Sequence, residues 1–170
     1  LYNGGTIGQI SELRNSHSVL APPKDGKAFQ STCKPILEKF EKRLDIDFEL
    51  VTTKDSTNMT PLDWQKLVFR VAKAQEKEGY DSVAIVHGTD TMAYTATALA
   101  LALHGATPDT SGLRIPVCLT GSQNTIYQEG GDGRFNLENL FRTLEVAMDK
   151  RISDVLVNFW NRVHLGCRIV

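Results

Sequence analysis

The sequence has no surplus of either charge. Its 19 lysines and arginines stand against 20 aspartates and glutamates, for a formal net charge of −1 over 170 residues. A near-zero net charge argues against a dedicated nucleic-acid partner, because neutralising phosphates needs a basic surplus on one face. No apolar run approaches the ~20 residues of a membrane span, and no stretch resembles a cleavable signal peptide, so no membrane partner is expected. Cysteine is scarce. Cys33, Cys118 and Cys167 are odd in number and lie at no metal-ligand spacing. That usage fits a reducing, cytoplasmic compartment better than a secreted disulfide fold. No histidine pair has ligand spacing, and the acids Asp55, Asp90 and Asp132 stand apart, so no metal site is expected. The G-x-S-x-G elbow of serine hydrolases is missing, and Gly130-Gly131-Asp132-Gly133 lacks the lysine of a phosphate loop.

What is there is an alternation of short apolar runs with helical patterns, with 41% hydrophobic residues to build a core. This reads as βαβ units: an α/β fold with a doubly wound, mostly parallel sheet flanked by helices, five strands and four helices in all. Leu1-Tyr2 is the stub of a first strand, halted by Gly4-Gly5. Residues 9–26 are polar and form a loop longer than the usual ~4–6 residues, which marks it as functional or mobile. Phe29, Cys33, Ile36, Leu37, Phe40 and Leu44 give a first helix, followed by a strand over residues 46–52. Thr60-Pro61-Leu62-Asp63 is a helix start, with a hydroxyl cap, proline at the first position and an acid in the first turn. That helix runs to Gly79. Strands follow over residues 82–86, 115–119 and 155–159, with helices over 92–103 and from Asp132 to Met148. Trp64, Leu67, Val71, Leu99, Leu101, Leu137 and Phe141 are expected to pack on the sheet, and Cys118 to be a small buried apolar residue.

Glycine and hydroxyl residues cluster where three of these strands end: Gly4-Gly5-Thr6, Gly88-Thr89-Asp90 and Gly121-Ser122-Gln123. Parallel strands bring all three to one rim of the sheet, where doubly wound folds bind ligands. Glycine lets backbone approach a ligand closely, and the N–H groups of helix starts offer donors to an anion. A threonine hydroxyl is a weak nucleophile that needs a base, and Asp90 is the neighbouring carboxylate, suited to a hydroxyl or an ammonium group. His87, next to Gly88, reads as a strand-end histidine bonded to backbone.

Asn3-Gly4-Gly5-Thr6-Ile7-Gly8 and His87-Gly88-Thr89-Asp90-Thr91-Met92 resemble the two signature segments of the bacterial-type L-asparaginases. Asp55-Ser56-Thr57-Asn58-Met59, Leu119-Thr120-Gly121-Ser122-Gln123 and Asp132-Gly133-Arg134 with Asn136-Leu137 add three further matches in the same order along the chain. The resemblance covers essentially the whole chain and is nearest to the cytoplasmic, type I branch. It implies hydrolysis of L-asparagine, and of L-glutamine as a second substrate, to the acid and ammonia, with no cofactor. It implies Thr6 as the nucleophile forming an acyl-enzyme, Thr89 orienting or activating the attacking water, and Asp90 holding the substrate α-amino group. It further implies substrate binding by Gly5, Asp55, Ser56, Thr57, Gly88 and Ser122, with backbone N–H groups near Thr6 and Thr89 forming an oxyanion hole.

Two departures accompany the resemblance. Residues 9–26 hold no tyrosine where the family often supplies one from a lid, and His17 is the only other candidate there. Gly166-Cys167-Arg168-Ile169-Val170 fits the first five positions of the family's Gly-x-Arg-x-x-Lys pattern, and the sequence stops where the expected lysine would come next. The resemblance therefore implies that residues 1–170 are an N-terminal α/β domain, truncated or incompletely covered at both ends. The family's smaller C-terminal domain completes the site within a homodimer or homotetramer, so this stretch alone is expected to be inactive. Two other readings stand beside it: the amidase subunit of a tRNA-dependent amidotransferase, and a non-catalytic amino-acid-binding or regulatory domain.

Overall fold

The computed structural model describes residues 1–14, 17–104 and 112–169. Its strands are β1 (Tyr2–Asn3), β2 (Ile10–Arg14), β3 (His17–Ala21), β4 (Leu50–Thr52), β5 (Val83–His87), β6 (Val117–Thr120), β7 (Val155–Phe159) and β8 (Arg162–Leu165). Its helices are α1 (Gly26–Leu37), α2 (Pro61–Lys73), α3 (Met92–His104) and α4 (Asp132–Asp149). Six strands form one sheet in the order β4-β1-β5-β6-β7-β8, parallel except for the β7–β8 pair. The expected mostly parallel α/β sheet is what the chain forms.

Helices cover both faces. Alternate residues of β6 show the division: Cys118 joins Phe29, Ile36, Leu140 and Phe141 of α1 and α4, whereas Val117 and Leu119 join Leu67, Val71, Ala96 and Leu99 of α2 and α3. Burial on both faces is why these strands read as continuous apolar runs rather than alternating ones. Burial pushes the Cys33 and Cys118 thiols up to about 12, so both are inert apolar packing, as expected for Cys118.

Several expectations need correction. Residues 9–26 are not a plain loop: β2 and β3 pair antiparallel, with Ile10 opposite Ala21. This hairpin forms its own two-stranded sheet, and its apolar residues Ile10, Leu13, Val19, Leu20 and Ala21 follow no period of two, so its sequence gives no alternating signal. Asn15 and Ser16 lie outside the described residues. The strand expected over 46–52 is ordered as strand only at Leu50–Thr52, because β4 pairs with β1 alone, and Tyr2 stands opposite Leu50. The helix expected to reach Leu44 closes at Leu37, just past Pro35, and irregular turns carry Phe40 into contact with Phe141. Strand β8 is an addition to the expected five; all four of its residues are exposed on the sheet edge. Leu101, expected in the core, is 70% exposed. Helix α3 is apolar around its whole circumference, so spacing alone does not identify its inner face. The face through Met92, Ala96, Leu99 and Leu103 is buried, and Leu101 points away from it.

Candidate active site

The strand order places the site. The chain runs from β1 outward to β4, then returns past β1 to β5, so the crossovers diverge between β1 and β5. The carboxyl ends of those two strands, at a topological switch point, frame the binding crevice of a doubly wound sheet. The Gly5–Thr6 turn follows β1 and the Gly88–Thr89 turn follows β5.

Glycine is what lets these turns touch. Gly5 has φ 93°, and a β-carbon on it would lie 2.6 Å from both the Gly88 nitrogen and the His87 carbonyl oxygen. A β-carbon on Gly88 would lie 2.5 Å from Ser56 Oγ, and one on Gly121 would lie 2.5 Å from the same His87 carbonyl oxygen. Backbone therefore packs on backbone across three loops, and any larger residue would push them apart. The Thr91 hydroxyl donates to the Ser56 carbonyl at 2.8 Å, tying the start of α3 to the loop after β4.

The interlocked turns enclose a cavity of about 160 Å³. Of the nine expected site residues, seven line it: Gly5, Thr6, Asp55, Ser56, Gly88, Thr89 and Asp90. Thr57 and Ser122 do not. Thr57 is exposed and donates through its backbone N–H (2.9 Å) and hydroxyl (2.7 Å) to Asp55 Oδ1, which holds the Asp55 carboxyl below its ordinary value. Ser122 is buried, its hydroxyl donating to the Asn124 carbonyl. Asp90 is exposed and forms no ion pair among the described residues. The Thr89 hydroxyl accepts from Gln123 Nε2 at 3.2 Å, which leaves its own proton free to donate into the cavity.

Sequence reasoning did not single out Tyr2, Gln9, Pro22, Thr53 or Lys54, which complete the lining. Tyr2 lies beside the first motif, and that adjacency was the available signal. Lys54 is occupied elsewhere: its Nζ lies 2.9 and 2.8 Å from the two Asp63 carboxylate oxygens. His17, on β3, does not line the cavity. A larger cavity of about 360 Å³ lies at the opposite ends of the strands, under Leu1, Val83 and Ala84. Its lining is mostly apolar, with Asp45, Asp47, Glu49, Arg70, Tyr80 and Ser82 as the polar members, and includes none of the expected site residues.

His87 is buried beneath the second turn. Its Nδ1 lies 2.7 Å from the Gly88 carbonyl, which can only accept, so Nδ1 carries the proton. Nε2 then accepts from the Thr95 hydroxyl at 3.0 Å, and Thr95 in turn accepts from the Trp64 indole N–H at 2.9 Å. Burial lowers the His87 pKa, in keeping with a neutral ring. The third loop is held by Asp132, which accepts from the backbone N–H groups of Gln123 (3.0 Å) and Asn124 (2.9 Å). Among the described residues no group of three or more histidine, cysteine or acidic side chains is placed to hold a metal ion. No helix there is long and apolar enough to cross a membrane.

Two glycine–threonine turns meeting at the switch point of a doubly wound sheet match the two signature segments, and comparison with known proteins agrees. The family model described as "Asparaginase, N-terminal" matches residues 1–170. The chain belongs to the asparaginase family. It is 36% identical over 167 residues to L-asparaginase 1 of Escherichia coli K12, a match covering 98% of this chain and 45% of that protein. A glutamyl-tRNA(Gln) amidotransferase subunit of Aeropyrum pernix is 37% identical over 134 residues, covering 79% of this chain and 28% of that one. Among solved structures, the probable cytoplasmic L-asparaginase of Campylobacter jejuni superposes with a TM-score of 0.78 at 27% identity, covering 99% of this chain and 47% of the other. The chain thus spans just under half the length of these two asparaginases.

Proposed function

We propose that the protein is an amidohydrolase that converts L-asparagine to L-aspartate and ammonia. The observation that carries this reading is the meeting of Thr6, Thr89 and Asp90 in one cavity, between two turns that only glycine can form. In this reading the Thr6 hydroxyl attacks the side-chain amide carbon, its proton passes to the leaving nitrogen, and ammonia departs from an acyl-enzyme. Water, oriented by the Thr89 hydroxyl, then attacks the ester carbonyl and releases L-aspartate and free Thr6. Asp90 holds the substrate α-ammonium group. Ser56 and the backbone around it receive the α-carboxylate, with Asp55, Thr57 and Ser122 shaping those loops. The Thr6 and Thr89 N–H groups stabilise the oxyanion, each donor worth about 3–4 kcal/mol. No cofactor takes part. A cytoplasmic location, and a homodimer or homotetramer completed by a C-terminal domain, belong to the same proposal.

Ammonia release from L-asparagine and L-glutamine by the intact protein tests it. Thr6→Ala and Thr89→Val should each lower kcat by ~1,000-fold or more, with little change in thermal stability, because each removes one hydroxyl from a preformed cavity. Similarity to the Aeropyrum pernix amidotransferase subunit supports a second reading. Ammonia release that requires a partner subunit and charged tRNA would favour it. Asparagine binding by calorimetry with no turnover would favour the non-catalytic domain instead.

A further inference from the structure

The two threonines of the site share a feature that their motifs do not explain. Each is preceded by a glycine whose carbonyl is gripped from below by a buried side chain. The Tyr2 hydroxyl donates to the Gly5 carbonyl at 2.9 Å, and His87 Nδ1–H donates to the Gly88 carbonyl at 2.7 Å. Both side chains are 0% exposed. Their own positions are fixed: the Tyr2 ring packs on Phe29 with centroids 4.7 Å apart, and His87 is held at its other nitrogen by Thr95 and Trp64. Neither the Thr6 nor the Thr89 N–H donates to another group among the described residues.

Because a trans peptide is planar, its C=O and N–H point in opposite directions. A carbonyl drawn toward the protein interior therefore turns the N–H of the next residue outward. The need is specific to these turns. Glycine lets them interlock, but it also makes the Gly–Thr peptide plane the easiest in the site to flip, since no β-carbon opposes the rotation. A flipped plane would bury the N–H and present a carbonyl oxygen to an oxyanion. We propose that Tyr2 and His87 are positioning residues, which lock the Gly5–Thr6 and Gly88–Thr89 peptides so that both N–H groups face the reacting amide. This rests on the hydrolase reading above and extends it to two buried side chains that act through the peptides they hold.

The test uses the intact protein, with kcat counted per L-aspartate site titrated by calorimetry. Tyr2→Phe removes one oxygen and keeps the ring. It should lower kcat about 10-fold with KM within about 2-fold, part of the ~100–1,000-fold lost when an oxyanion donor is deleted outright. His87→Leu should act alike, and His87→Asn, whose amide can donate from the Nδ1 position, should recover most of that loss. A second readout is independent of turnover. With residue-selective 15N labelling, L-aspartate should shift both the Thr6 and Thr89 amide resonances in the wild type. The Thr6 shift should vanish in Tyr2→Phe, and the Thr89 shift in His87→Leu. Tyr2→Phe at full kcat with both amide shifts intact, or a His87 proton on Nε2, would overturn the proposal. A wild type that shifts both amides but releases no ammonia would instead sink the hydrolase reading and leave the locked peptides standing.

Discussion

The Gly5–Thr6 and Gly88–Thr89 turns bring the same residue pair to one cavity, yet the chain around them differs. The second turn follows a five-residue buried strand and runs straight into the 13 residues of α3. The first follows a two-residue strand, passes through left-handed glycines at φ 84° and 93°, makes one 3-10 turn over Thr6–Gly8 and enters an outlying hairpin. Regular structure holds the second turn on both sides. The first depends on neighbours distant in sequence: Gly4 lies against the Lys54 carbonyl, and the Ile126 N–H donates to the Ile7 carbonyl at 3.2 Å. Equivalent chemistry thus rests on unequal supports, and substitutions should reveal the inequality.

The largest effect is expected at Gly5. Gly5→Ala combines left-handed strain with backbone overlap on the second turn, so it should cost about 3 kcal/mol or more and abolish ammonia release. Gly79→Ala is the control. Its φ is 74° but no atom lies within 4 Å of an added β-carbon, so strain alone should cost about 1 kcal/mol by denaturant titration. The second turn is best challenged through α3. Leu99 is wholly buried, and Leu99→Ala should cost about 2–5 kcal/mol.

A smaller effect is expected at Asp63, which steadies the loop beside the first turn. Its carboxylate caps α2, accepting from the Thr60 N–H at 3.0 Å and hydroxyl at 2.7 Å, and it pairs with Lys54. Asp63→Asn should cost about 1–2 kcal/mol at pH 7. The hydrogen bonds from Lys54 and Thr60 hold the Asp63 pKa down to about 2. The folded value therefore lies below the unfolded one, near ~4. The stabilisation is complete above that pH and is lost as pH falls from about 4 through 2, so the gap between wild type and Asp63→Asn should close over that window. The smallest effect is expected at Leu101, where Leu101→Ala should stay within about 0.5 kcal/mol, confirming the inner face of α3.

How much is legible in the sequence follows from what each signal depends on. The start of α2 is readable because proline, hydroxyl and acid act within four residues of one another. The parallel order and the strands buried on both faces are readable from apolar runs. Five of the seven expected residues that line the cavity, Gly5, Thr6, Gly88, Thr89 and Asp90, are readable because glycine and threonine after a strand carry both a conformational and a chemical meaning; Asp55 and Ser56 entered only through the family resemblance. The hairpin, β8 and the inner face of α3 are not: the hairpin's apolar residues follow no period of two, β8 has only four residues, and α3 is apolar on every side.

The sequence by itself determined the element order, the α/β class and the chemistry carried to the strand ends, since these rest on spacing within a few residues. Only the tertiary structure decided that Gly5 and Gly88 meet back to back, that Lys54 is spent on Asp63, and that Tyr2 and His87 grip the glycine carbonyls from below. Those facts depend on which strands lie side by side. A hydrogen bond such as that from Trp64 to Thr95, 31 positions apart, exists only once the sheet has brought its ends together.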